Sequence, residues 1–159
     1  MLNNNESLKK HVIELLEKRG VQISDIASIV LTIQKDYVEG LNLETCVDNV
    51  LAVLEKREAI HAILTGIAID EFAEKNMLPE PLQSIVVSDQ GLYGIDEILP
   101  LSIVNIYGTI GLTNFGYLDK AKIGIIKALD ADPTGKCHTF LDDLVAAIAA
   151  AAASRIAHA

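Results

Sequence analysis

Two adjacent carboxylates head the most apolar segment of this chain. Phe140-Leu141-Asp142-Asp143-Leu144-Val145 leads into a stretch, Leu144 to Ala153, of ten uncharged residues that are mostly Ala. A carboxylate is expensive to bury unless charge or hydrogen bonding compensates it. The fold must therefore leave the start of this segment in water or build a partner for the acids. Leu141, Leu144, Val145, Ile148, Ala152 and Ile156 recur at helical spacing and predict a terminal helix with a buried stripe. Two readings of its acids stand side by side. Thr139-x-x-Asp142 has capping-box spacing, and acids in a first turn complement the helix dipole. Alternatively, one or two carboxylates with waters and substrate phosphate form the usual octahedron around Mg²⁺.

Other amphipathic segments precede it. Leu8, Val12, Leu15 and Leu16 share a helical face that Gly20 is placed to end. Ser24 stands where it caps a second helix, with Ile26, Ile29, Val30 and Ile33 as its stripe. Asn42 opens a third, through Val47, Val50, Leu51 and Leu54. Helical phase continues to Asn76, either as one long helix or as two with a bend near Arg57. Pro79 is placed to begin a short helix through Val86 and Val87, a segment short enough to be a strand instead. Six of the ten glycines fall between Gly91 and Gly124, where glycine loops can surround a small ligand, and Asp130 to Gly135 predicts a surface turn. Half of the residues are hydrophobic but only 4% are aromatic, a balance of Ala, Ile, Leu and Val that favours helix-on-helix packing. The expectation is an all-α, compact multi-helix fold, with residues 1–159 as one domain.

Composition also excludes function classes. Twenty-two acidic against 13 basic side chains leave a net charge of −9, a field that repels nucleic acid and anionic lipid. Cys46 and Cys137 have no CxxC spacing, and the amino terminus lacks a secretion-signal layout, so a cytoplasmic location is expected. The uncharged apolar run of ten residues is half the length of a spanning helix. Membrane contact, if any, is expected to be transient. The high hydrophobic fraction predicts a homo-oligomer with the Ala-rich last helix as its contact.

Three further features bear on chemistry. In Asp89-Gln90-Gly91-Leu92-Tyr93-Gly94-Ile95-Asp96-Glu97, the adjacent Asp96 and Glu97 lie on different helix faces, so one can bind a metal and the other a water. The plainer alternative is that Asp96 starts a helix toward Tyr107 that Glu97 decorates. Asp119-Lys120-Ala121-Lys122 follows a glycine-rich approach and pairs an acid with lysines suited to phosphate, though mixed surface charge accounts for it equally. His138, four residues before Asp142, is a candidate ligand or acid, or else an exposed histidine leading the helix. Asp70, Glu71 and Glu74 read as a solvated helix face.

The segment Phe140 to Ile148 resembles the carboxy-terminal motif of the phosphatidylglycerophosphatase A family, in particular its soluble Gram-positive branch. Phe115 to Ile126 is similar to a second element, with Asp119 and Lys122 at the family's Asp and Lys positions. Asp96-Glu97 fits a third by its residues, while Asp89-Gln90 fits it by spacing. The resemblance implies Mg²⁺-dependent hydrolysis of the phosphomonoester of phosphatidylglycerophosphate, with acidic residues essential. Catalytic residues are then expected at Asp142, Asp143, Asp96 and Glu97. Metal ligands are expected among Asp142, Asp143, Asp96 and Asp119, and phosphate contacts at Lys120 and Lys122. The chain departs from the family in lacking its amino-terminal Gly-Thr-x-Gly-Ser element and in carrying Gly116 where an arginine is typical. The competing expectations are a non-catalytic binding or regulatory protein that keeps the scaffold, and a purely structural helical oligomer.

Overall fold

The computed structural model describes residues 4–159, which form nine α-helices and one 3₁₀ turn with no strand among the described residues. The helices are α1 (Asn5–Lys18), α2 (Ile23–Gln34), α3 (Leu43–Val53), α4 (Arg57–Glu74), α5 (Leu82–Val87), α6 (Ile95–Val104), α7 (Gly108–Ala121), α8 (Ile125–Asp130) and α9 (Leu141–Ala157). The expected all-α architecture is what the chain adopts.

Most sequence punctuation acts as expected. Gly20, at φ +88°, closes α1 in a Schellman motif: Val21 N–H donates to Leu16 O at 2.9 Å and Gly20 N–H to Glu17 O at 3.0 Å. Asn42 caps α3 by accepting from Thr45 N–H at 2.9 Å. The long third segment is two helices, separated by a turn at Leu54 to Lys56. The proline segment is helical, but α5 starts at Leu82 rather than Pro79. Ser24 is not a cap. The cap of α2 is Gln22, whose backbone N–H donates to the Asp25 carboxylate at 2.8 Å, and Ser24 lies inside the first turn.

The last helix is the axis of the fold. From Leu141 to Ser154 every residue of α9 is buried, because α2, α3, α4, α6, α7 and α8 all pack against it. Its alanines follow from that position, since only small side chains allow neighbouring backbones to approach from several sides at once. The expected single stripe is thus a fully enclosed helix, and α9 is not available as an oligomer contact. At its closest crossing α4 presents Gly66, where a Cβ would lie 2.6 Å from Leu144 Cδ1 and 3.2 Å from Phe140 Cβ.

The glycine-rich region forms a helical hairpin, not loops around a ligand. Ile95–Ala121 is long and apolar enough, by length and composition, to cross a membrane, and only 28% of its apolar 18-residue window is buried. As one straight helix of 27 residues it would be about 40 Å long. Gly108, at φ +79°, breaks it instead. The start of α6 and the end of α7 come back together beside the amino-terminal end of α9, while Ser154 near the other end of α9 bonds Tyr107 O at 2.8 Å. Exposed Ile95, Ile98, Ile106, Ile110 and Leu112 belong to this hairpin.

The Gly66 crossing yields a stability test. Gly66→Val forces a branched side chain between α4 and α9 and is expected to destabilise the protein by about 3 kcal/mol, read from denaturant unfolding. An unchanged midpoint would mean the helices are not in contact there.

Candidate functional site

The amino-terminal end of α9 is buried, and its unpaired backbone N–H groups need acceptors. Asp70 of α4 supplies them. Its fully buried carboxylate accepts from Phe140 N–H at 2.9 and 3.2 Å and from Leu141 N–H at 2.9 Å. Thr139 therefore caps nothing, and its hydroxyl donates to Val86 O at 2.6 Å. The capping-box reading of Thr139 and Asp142 does not hold, which leaves the Asp142 carboxylate free to face a pocket.

Asp70 was expected in solvent, yet it follows Ile63, Gly66 and Ile67 on the buried stripe of α4, a signal present in the sequence. Glu74 stays exposed, as the solvated-face reading expects, but its carboxylate is engaged. It accepts from both terminal nitrogens of Arg19, at 3.2 and 3.1 Å, and from Cys137 N–H at 2.7 Å. Arg19, almost fully buried, also donates to Cys137 O at 2.6 Å. Together these bonds tie the ends of α1 and α4 to the loop that delivers α9.

His138 is buried rather than exposed, and both of its ring nitrogens are engaged. Nε2 lies 2.7 Å from Asp132 Oδ2, and Nδ1 lies 3.4 Å from an Arg19 nitrogen. Arginine offers only donors, which assigns Nδ1 as acceptor and the proton to Nε2. The ring is a fixed strut, with no nitrogen left to move a proton.

Around Asp142 the structure gathers most of the predicted acids. Asp142 and Asp143 are each 4% exposed. Asp143 meets the carboxyls of Asp119, from the end of α7, and Asp96, from the start of α6. Lys122 sits in their midst, with Nζ 3.4 Å from Asp142 Oδ2, 3.8 Å from Asp130 Oδ1 and 3.9 Å from Asp119 Oδ1. Asp89 closes the rim, so Asp89 and Asp96, the two alternatives for the third family element, both arrive here. Glu97 is exposed beside Asp96 and Asp119. Lys120 does not join them: it is exposed and forms no ion pair among the described residues.

Backbone conformation serves this convergence. Of the three non-glycine residues at positive φ among those described, two are Lys122 (φ +47°) and Asp89 (φ +48°). Such residues are uncommon and persist where surrounding structure holds them. The left-handed turn at Lys122 ends α7 at the point where its ammonium reaches three carboxylates.

Electrostatics record the crowding. Burial, then the neighbouring Asp142, Asp119 and Asp96, push the Asp143 carboxyl far above the usual range, so it holds a proton between its neighbours. Burial also raises Asp142, against the pull of Lys122. Burial raises Asp89, Asp96 and Glu97, and Asp70 is pushed up to about 7 by the same cause. Burial alone would lower the Lys122 ammonium, but Asp142, Asp130 and Asp119 hold it above its ordinary value.

A hard divalent cation fits this donor set, which is all carboxylate oxygen with one ammonium for several acids; thiolate-preferring ions are not served by it. Among the described residues no three such donors are drawn to chelating positions. Two spaces adjoin the cluster. One, of about 150 Å³, is lined by Asp89, Asp130, Asp142, Lys136 and Thr139. The other, of about 190 Å³, runs between α6 and α7 from Glu97 and Asp119 onto Leu101, Leu112, Phe115 and Gly116.

Fold and site together define an all-helical protein with a buried, carboxylate-lined centre built at the start of its central helix. The phosphatidylglycerophosphatase A family model matches residues 13–158, and the chain belongs to that family. It is 66% identical over 145 residues to the uncharacterized protein YpjQ of Bacillus subtilis (strain 168), covering 91% of this chain and 81% of YpjQ. With the uncharacterized protein YutG of the same organism it shares 56% identity over 143 residues, covering 90% of this chain and 86% of YutG. The crystal structure of the low temperature requirement C protein from Listeria monocytogenes superposes with a TM-score of 0.92, at 56% identity and 95% coverage of each chain.

Two tests follow from these acids. Asp70→Ala leaves two buried N–H groups of α9 without an acceptor and is expected to lower stability by on the order of 2–4 kcal/mol in denaturant unfolding, whereas Asp70→Asn keeps one acceptor and loses less. The second concerns pH. Folded Asp70, Asp142 and Asp143 bind protons more tightly than when unfolded, so the stability they contribute is full below their unfolded values, about pH 4, and is lost as pH rises. For Asp70 the loss begins at about pH 4 and is complete above about pH 7. With divalent cations chelated, the thermal midpoint is expected to fall from about pH 5 to about pH 8, and less steeply in Asp143→Asn. A rise over that window would contradict the protonated Asp143.

Proposed function

We propose that this protein is a Mg²⁺-dependent phosphomonoester hydrolase of the phosphatidylglycerophosphatase type, releasing inorganic phosphate from a phospholipid headgroup. One observation carries the reading: acids from the start of α6, the end of α7 and the first turn of α9 meet at Asp143, beside Lys122, although the sequence separates them widely. Capping and surface solvation do not account for buried acids gathered from three helices. The family membership and its phospholipid-related chemistry support the same class.

Asp142, Asp143, Asp96 and Asp119 are the residues that would hold Mg²⁺. Bound there, the ion supplies Lewis-acid polarisation of a phosphate oxygen and a more acidic water. The other roles belong to the chain. Lys122 Nζ neutralises phosphate charge, and the ion pairs it makes with Asp119, Asp130 and Asp142 keep it aimed into the centre. Glu97, exposed and raised by burial and by the facing Asp119 and Asp96, is placed to take a proton from an attacking water. Asp143 must release its proton for its carboxylate to act with its neighbours as a ligand, so occupancy rises with pH.

The second reading, a non-catalytic protein that keeps the scaffold, is favoured by the exposure of Lys120, which leaves Lys122 as the sole predicted phosphate cation at the cluster.

Phosphate release from glycerol 3-phosphate and from phosphatidylglycerophosphate in mixed micelles, with Mg²⁺ or with chelator, separates the two. Turnover is expected only with Mg²⁺, and Asp142→Asn and Asp143→Asn are expected to reduce kcat/KM by at least about a hundredfold. Mg²⁺ should raise the thermal midpoint of the parent and have little effect on either variant. No turnover with equal Mg²⁺ shifts in all three proteins would overturn the metal site and the hydrolase together.

A further inference from the structure

The second space beside the acids is not used by the chemistry above. It opens at Glu97 and Asp119, two members of the acidic cluster, and continues between α6 and α7 over Leu101, Leu112 and Phe115. From Ile98 to Leu118 the hairpin carries no charged side chain. The groove is therefore polar at the end that meets the site and apolar along its remaining length.

Gly116 is the informative residue in its wall. It lies inside α7 without the positive φ that requires glycine elsewhere in the chain, and a Cβ there would meet no heavy atom within 4 Å. Gly111 in the same helix differs, since a Cβ would crowd Val104 at 3.2 Å. Neither backbone conformation nor helix packing needs glycine at 116, and glycine inside a helix is unfavourable relative to alanine. Gly116 lines the groove beside Phe115 and Asp119, where a larger side chain would have open space to fill.

We infer that this groove binds the hydrocarbon tail of a substrate whose phosphate sits at the acidic cluster, so that Leu101, Leu112, Phe115 and Gly116 select for an amphiphilic phosphomonoester. The inference rests on the hydrolase reading for the position of the phosphate. The occupant follows from the continuity of the groove with the acids and from its change of character along its length. A bilayer lying on the outer face of the hairpin would instead engage the exposed Ile98 and Ile110, which do not line the groove.

The test is a series of n-alkyl phosphates from methyl to decyl, each below its micelle concentration, titrated by calorimetry onto the Mg²⁺-loaded protein. Affinity is expected to rise by up to about fourfold per methylene until the groove is filled. In Gly116→Leu that dependence on chain length should flatten. Leu112→Gln, at a position already 40% exposed, should flatten it too and covers the case in which Gly116→Leu does not fold. Equal affinity for methyl and decyl phosphate in the parent protein overturns the tail groove. So does a chain-length gain that both groove variants retain but Ile98→Ser loses, which would assign the outer face instead. Hydrolysis is scored separately on the same series: binding that depends on chain length without phosphate release upholds the groove and overturns the hydrolase, and hydrolysis of methyl phosphate with flat binding does the reverse.

Discussion

The carboxylate of Asp70 at the head of α9 is the contact on which this structure depends. A helix enclosed on all sides cannot use water to satisfy its first N–H groups. The acceptor must come from elsewhere in the fold, and α4 provides it from seventy residues away. Because Asp70 takes the capping role, Asp142 and Asp143 are not consumed by it. The Arg19–Glu74 pair and its bonds to Cys137 then hold the preceding loop, so α9 enters the core at a fixed angle.

Gathering acids in this way has an energetic consequence. Each buried carboxyl loses hydration, and each neighbour of like charge adds repulsion, so the cluster survives by retaining protons and by sharing Lys122. Such an arrangement is a poor way to stabilise a fold. The restrained backbone at Lys122 and Asp89 holds the acids and the lysine together against that cost.

The α6–α7 hairpin shows how composition and topology diverge. Its length and apolarity are those of a spanning segment, yet a single glycine at positive φ folds it back so that both ends reach α9. That return brings Asp96 and Asp119 to the same carboxyl, and it leaves an apolar surface beside a charged centre. Local sequence shows the apolarity but not the return, since Gly108 was one of several glycines with equal claim to a turn.

By itself the sequence determined the helical class, the Gly20 and Asn42 boundaries, and the family to which Phe140 to Ile148 points. These depend on periodicity, turn chemistry and short motifs, all of which act over a few residues. Asp142, Asp143, Asp96 and Asp119 were legible as candidates for the same reason. Only tertiary structure decided that α9 is enclosed rather than striped, that Asp70 leaves solvent while Glu74 pairs with Arg19 and Cys137, that His138 is locked between Asp132 and Arg19, and that Lys122 joins the acids while Lys120 does not. Each depends on what packs opposite a side chain. A residue's neighbours along the chain cannot report the low dielectric, the missing water or the distant partner that set its role.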